Sequence, residues 1–238
     1  MTTLDADAPP ILPNLTRRVV ARGRIPAPVR IAYTLFAAVI LPVYLHAYGP
    51  TNLLYFCDQA ILLTLVGIWL ESPLLISMCA VGILAPQALW IVDFLGTAIG
   101  LPITGMTAYM FDPEKPLFLR ALSGFHGWLP ILLVYLVHRL GYDGRALGAW
   151  TALAVATLLV CFFLMPPPNP DPGLTPVNIN YVWGMSDRAA QTLMPAWAWV
   201  AGLIVGLPVL LFAPTHLVLR RAMPAADRAK PPGRRPKP

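Results

Sequence analysis

Five ionisable or nucleophilic side chains stand within or at the mouths of apolar stretches: Cys57, Asp58, Asp93, Arg120 and His126. A thiol becomes a nucleophile when a base such as imidazole takes its proton, so Cys57 with His126 is a candidate pair for covalent chemistry. A carboxylate, Asp93 or Asp58, would hold the imidazole in one tautomer. Each residue also has a plainer use. A lone Cys in an apolar helix is most often packing. Either Asp is suited to an ion pair with Arg120, and His126 to a hydrogen bond with a nearby carbonyl. A neighbouring carboxylate works against a thiolate, so nucleophilic use of Cys57 requires Asp58 to point elsewhere, or to be protonated or paired with Arg120. Successive helical residues diverge by about 100°, which allows the first.

The stretch that must carry the pair is Asn52–Leu70, NLLYFCDQAILLTLVGIWL. As a helix it would extend about 28 Å, close to the hydrocarbon thickness of a bilayer. An Asp in such a helix costs about 2.5–3.5 kcal/mol at the bilayer centre and less towards an interface, so an ionisable group there marks a functional candidate. The chain as a whole has 238 residues, 57% hydrophobic and only 12% charged, about half the charge share of a soluble domain. The composition predicts an all-α, polytopic membrane protein. A net charge of +6 does not imply nucleic acid, because the basic residues sit at the two ends and beside helix ends, where they orient a membrane protein. No zinc-finger, P-loop or dinucleotide fingerprint is present, and neither a cofactor nor a metal is expected. Cys57, Cys79 and Cys161 all lie in apolar runs, a poor setting for a disulfide framework.

Six crossings are predicted, at about 29–48, 52–70, 74–95, 117–140, 146–165 and 196–219, within a transmembrane domain 25–221. Residues 1–24 read as a mobile cytoplasmic tail without a signal peptide, with a short surface segment at 15–20, and 222–238 as a basic, Pro-rich cytoplasmic tail. Gly49-Pro50 stops the first crossing, and Glu71-Ser72-Pro73 reverses the chain after the second. Gly96–Pro116 is a polar link. Pro166–Met194 is a long loop whose aromatic half, NINYVWG, is expected to pack against the bundle. Gly202 and Gly206 form a GxxxG spacing that would suit a close helix contact.

Even-numbered crossings put both termini on one side. Arg17, Arg18, Arg22, Arg24 and Arg30 precede the first, Arg139 and Arg145 flank the fourth-to-fifth turn, and seven Lys or Arg follow the sixth; the other face has only Lys115, Arg120 and Arg188. The positive-inside rule then predicts cytoplasmic termini in a bacterial inner membrane, with Trp197 and Trp199 at the outer interface. On this topology Cys57, Asp58, Asp93, Arg120 and His126 all fall in the outer half. An outward-facing polar site is expected, covered by residues 97–116 and 177–183, with membrane lipids as its partners.

The spacing resembles a bacterial six-helix integral-membrane family related to the eukaryotic cysteine-dependent acyltransferase that handles polyunsaturated phospholipid chains. More distantly it resembles the Thr/His membrane hydrolases of fatty-acid esters of hydroxy fatty acids. The resemblance rests on Tyr55-Phe56-Cys57-Asp58, on Gly82 to Leu89 with Gln87-Ala88-Leu89, on Ser123-Gly124-Phe125-His126-Gly127 and on Asn180-Tyr181. The family pattern has a Pro and a His shortly before the Cys, where this chain has Asn52 to Phe56. The resemblance implies Cys57 as acyl nucleophile, His126 as its base and Asp93 or Asp58 as the orienting carboxylate. Arg120, Gln87, Trp90, Asn180, Tyr181 and Trp183 would then face the substrate. Three other functions compete: a small transporter or proton-coupled carrier using Asp58, Asp93 and Arg120; a metal-dependent hydrolase using His46, Asp58, Asp93 and His126, although the chain lacks that group's His-x-x-x-His pair; and a non-catalytic membrane assembly protein.

Overall fold

The protein is described by a computed structural model over residues 25–171 and 173–226. The expected tail 1–24, the segment 15–20 and residues 227–238, with the basic residues they carry, lie outside the described residues. Among the described residues the secondary structure is helical. The helices are α1 (Ala27–Tyr48), α2 (Phe56–Trp69), α3 (Pro73–Ala98), α4 (Leu117–Leu122), α5 (Phe125–Leu140), α6 (Ala146–Leu164), α7 (Ala196–Leu207) and α8 (Ala213–Ala222). Five helical stretches are long and apolar enough to cross a membrane: Ala27–Tyr48, Pro73–Ala98, Leu117–Leu140, Ala146–Leu164 and Ala196–Ala222. The chain is a multi-pass membrane protein.

The helix ends follow local chemistry where the sequence carries it. Gly49, at φ 82°, stops α1. Ser72 accepts the Leu75 N–H and Pro73 opens α3. The second crossing needs correcting. Helix α2 starts at Phe56, not Asn52, and its 14 residues extend about 21 Å, short of the bilayer core. Residues Pro50–Leu54 form a 3₁₀ turn and Tyr55 is extended. The fourth crossing is interrupted at Ser123-Gly124, between α4 and α5. The sixth contains a π-helical turn, Pro208–Phe212, between α7 and α8. Pro208 has no N–H to give the preceding turn, and the helix widens there to pass it.

Helix α3 is the centre of the bundle, packed on α2, α5, α6 and α8. Its contact with α6 is closed by one side chain. Trp150 is fully buried, and a Cβ added at Gly82 would lie 1.8 Å from its ring. Glycine at 82 is therefore what lets the indole reach α3. Below the helix starts and ends just described, Ile61, Ile76, Cys79, Leu129, Leu133 and Leu136 fill the interior with apolar groups. The GxxxG expectation fails among the described residues, since a Cβ at Gly202 or Gly206 would meet nothing within 4 Å.

The other end of the bundle is pinned by polar contacts. Arg30 pairs with Glu71, which also accepts the Ile25 N–H. Tyr142 hydrogen-bonds His216 of α8 at 2.6 Å and bridges to Ala225.

Candidate functional site

The end of α1, the start of α2, the end of α3 and the α4–α5 junction meet at one end of the bundle. The Tyr44 phenol of α1 hydrogen-bonds the Ser123 hydroxyl at 2.9 Å, across 79 positions of sequence. Asn52, in the 3₁₀ turn, donates to Asp58 Oδ2 at 3.0 Å. Asp58 is buried in the first turn of α2, where a helix dipole favours a carboxylate.

Cys57 and His126 are not joined by a hydrogen bond. The Cys57 thiol faces Asp58 Oδ2 at 3.9 Å instead. His126 is held by the interruption between α4 and α5. In an unbroken helix the Ser123 carbonyl would accept from Gly127, but the Gly127 N–H turns to Gly124. The Ser123 carbonyl thereby becomes available to His126 Nδ1 at 2.8 Å. A carbonyl only accepts, so Nδ1 carries the proton and Nε2 the lone pair. The ring also stacks on Trp90, centroids 4.9 Å apart, and leans on Phe125. The expected orienting role of Asp93 or Asp58 on this imidazole is filled by a main-chain carbonyl.

Asp93 serves a different purpose. It is wholly buried, and its Oδ1 accepts the N–H groups of Ile103, Thr104 and Gly105 at 2.6–3.0 Å. Its Oδ2 accepts the N–H and hydroxyl of Thr107. Five donors fold the link back over the end of α3. Arg120 is not paired with either carboxylate; it donates to the carbonyls of Lys115 and Met110. The expected Asp–Arg pairing is therefore absent, and each partner is satisfied by the link.

The link in turn delivers Tyr109, a residue the sequence reading passed over. Its phenol lies beside Ser123 and Trp90 and within the field of Cys57 and Tyr181, and burial pushes its pKa up. The loop after α6 delivers the other cover. Asn178, Asn180 and Tyr181 all have positive φ, a conformation Asn tolerates and Tyr adopts under strain. Asn180 does not face outward as a substrate contact. Its amide accepts the Phe56 N–H at 3.2 Å and donates to the Leu54 carbonyl at 2.8 Å, so it caps α2 from a distance. It also contacts the Cys161 sulfur. The Tyr181 carbonyl receives the Trp199 indole N–H. The Tyr181 phenol is pushed up to about 12, by burial first and then by Asp187, Cys57 and Asp93; it remains a neutral hydrogen-bonding group. Trp183 packs on Phe162, ring centroids 4.8 Å apart.

Three buried polar groups are left without a partner on this side. Gln87 is 2% exposed, yet neither its amide oxygen nor its nitrogen is hydrogen-bonded, and the Trp90 indole N–H is also unmatched. The two residues are three apart on α3 and so share a face. Helices α2 and α3 run antiparallel from the Ser72 reversal, which places Gln87 and Asp58 within about one helical turn of the same level. The Trp183 indole N–H is the third such group. A buried amide without partners costs about 1–3 kcal/mol and calls for an explanation.

A metal does not supply that explanation. Among the described residues no three His, Cys, Asp or Glu side chains converge as a metal would need, and His46 is exposed. The metal-hydrolase set of His46, Asp58, Asp93 and His126 is thus not assembled. The three cysteines are free thiols. The chain matches no family model, no curated protein and no solved structure.

Proposed function

We propose that this membrane protein takes the polar head of a membrane amphiphile into the cluster formed by Tyr44, Asp58, Gln87, Trp90, Tyr109 and His126. The observation that carries this is Gln87, whose donor and acceptor are both buried and both unmatched. A ligand head bearing hydroxyl, ester or amine groups would satisfy them, with the Trp90 N–H beside them. The apolar filling between this cluster and the opposite end favours binding from one side over passage through the bundle. The excess of basic residues at the opposite end supports an outward-facing cluster.

The test is native mass spectrometry of the full chain purified in mild detergent, with Gln87→Leu beside the wild type. The wild type retains an amphiphile, and Gln87→Leu retains at least tenfold less. Because Leu removes an unsatisfied amide without opening a void, the variant's ligand-free form is expected to melt no lower than the wild type. Wild type that retains no amphiphile overturns the proposal.

Acyl transfer at Cys57 is the second function, favoured by the His126 tautomer, which leaves Nε2 as a base. The Cys57 sulfur would attack an ester carbonyl carbon, forming a C–S bond and releasing the alcohol. The thiol proton would pass through Nε2 to the departing oxygen, and a second hydroxyl or water would then take the acyl group. This requires the thiol to turn from Asp58 to His126. An acyl adduct on Cys57, found by mass spectrometry in the wild type and absent from His126→Ala, would support it; its absence from the wild type under hydroxylamine-free handling, together with unchanged lipid profiles, would reject it.

A further inference from the structure

Resting on the amphiphile-binding proposal, we infer that the head received by this cluster is an organic ammonium group. The first observation is the balance of charge. Asp58 is buried, and the side chains that hydrogen-bond it are a neutral amide, Asn52, and a thiol, Cys57. Ion pairs among the described residues join Arg30 to Glu71 and Arg145 to Asp143, both at the opposite end of the bundle. The cations near the cluster are committed elsewhere. Arg120 donates to two main-chain carbonyls and Lys115 lies by Asp187 on the covering loop; His126, held as the neutral Nδ1–H tautomer, brings no charge. A buried carboxyl without a cation must either hold its proton or be met by a positive charge, and an incoming ammonium would supply the second.

The second observation is what surrounds that carboxylate. Tyr44 and Tyr48 stand at the end of α1 and Tyr55 at the start of α2, the helix that carries Asp58, and the Tyr44 and Tyr48 rings meet edge to face with centroids 5.2 Å apart. Tyr109 is carried by the link and Tyr181 by the loop after α6. Phenol faces attract an ammonium through the ring quadrupole, more so when dry. They offer little to a phosphate, whose recognition needs Arg, Lys or a row of N–H groups. The third observation is independent of charge. Gln87 and Trp90, both more than nine-tenths buried, present an unmatched amide and an unmatched indole N–H on the face they share. They suit the hydroxyl or ester oxygens that accompany an ammonium in choline- and ethanolamine-like heads.

The full chain in detergent is titrated calorimetrically with choline and with its uncharged isostere, 3,3-dimethylbutan-1-ol. Choline is expected to bind at least tenfold more tightly, and Asp58→Asn is expected to erase the difference while keeping the weak binding of the neutral probe. A parallel arm places the protein in nanodiscs whose lipids carry either ammonium heads or ammonium-free glycerol heads, and reads the melting temperature. Selective binding of choline without a nanodisc effect identifies a free organic ammonium as the ligand, whereas stabilisation only by ammonium-headed lipid identifies a headgroup; both support the inference. Equal affinity for the isosteres combined with equal melting in the two nanodiscs overturns it, and that comparison uses only wild-type protein. A persistent preference in a folded Asp58→Asn also overturns it. Neutral amphiphile retained without charge preference defeats this inference alone, whereas no retained amphiphile defeats the parent proposal as well.

Discussion

Asn180 and Phe56 stand 124 positions apart in the chain, and the Asn180 amide oxygen nonetheless receives the Phe56 N–H at 3.2 Å. The first N–H groups of a helix have no partner within it, and Tyr55, at the N-cap position, supplies no side-chain cap. The loop after α6 therefore does for α2 what Ser72 does locally for α3. Asn180→Ala should lower stability by about 2–3 kcal/mol, because the Phe56 N–H and Leu54 carbonyl lose their partner together. Asn180→Asp, which keeps the acceptor and loses the donor, should fall between. Thermal unfolding in detergent measures the loss, and hydrogen exchange should rise at residues 54–60 in both variants.

Asp93→Asn should release the link without altering the membrane helices. An amide has one acceptor oxygen where the carboxylate has two, and five donors converge there. A loss of about 2–4 kcal/mol is expected, with faster hydrogen exchange at residues 103–107 as the local signature. Unchanged exchange at those residues would contradict the anchoring role assigned to Asp93.

Much of this was legible in the sequence, and the exceptions share a cause. Gly49-Pro50 and Ser72-Pro73 gave helix ends correctly because their chemistry is local. Of the polar residues placed at one end, Cys57 contacts Asp58 and His126 sits at the α4–α5 junction, while Asp93 and Arg120 are taken up by the link. What could not be read for Asp93 and Arg120 was a partner supplied by the main chain. Asp93 looks like a free acid in sequence, yet its partners are mostly backbone N–H groups that carry no residue signature. The same holds for Arg120, satisfied by two carbonyls, whereas the carbonyl partner of His126 is one the sequence did offer. The start of α2 was misplaced because its cap lies 124 residues downstream. Tyr44 and Tyr109 were missed because an isolated Tyr near a helix end usually marks a membrane interface.

Gly82→Ala should destabilise by about 1–3 kcal/mol through overpacking, since its methyl would enter the Trp150 ring. Combining it with Trp150→Leu should recover part of the loss, and the resulting coupling energy, read from a double-mutant cycle of thermal stabilities, should be at least about 0.5 kcal/mol.

Asp187 gives the covering loop a dependence on pH. Burial raises its carboxyl pKa above the ordinary range, against a hydrogen bond from Asn178 and the charge of Lys115. The folded state therefore holds this proton more tightly than the unfolded state. The stability it contributes is fully present below the ordinary carboxylate pKa of about 3.9 and is lost as pH rises through the higher folded value. Melting temperatures measured from about pH 4 upward should fall more in the wild type than in Asp187→Asn.

The widened turn at Pro208–Phe212 has a bearing on how the last crossing tolerates editing. It holds one residue more than a regular repeat would, so everything beyond it is rotated relative to α7. Deleting a single residue from Val209–Leu211 would straighten the rod and reset the azimuth and height of the following segment. His216 would then leave the Tyr142 hydroxyl that it meets at 2.6 Å, and the strand-like seat of Ala225 beside Tyr142 would lose its alignment. An irregularity that looks like slack is thus what sets the azimuth of α8.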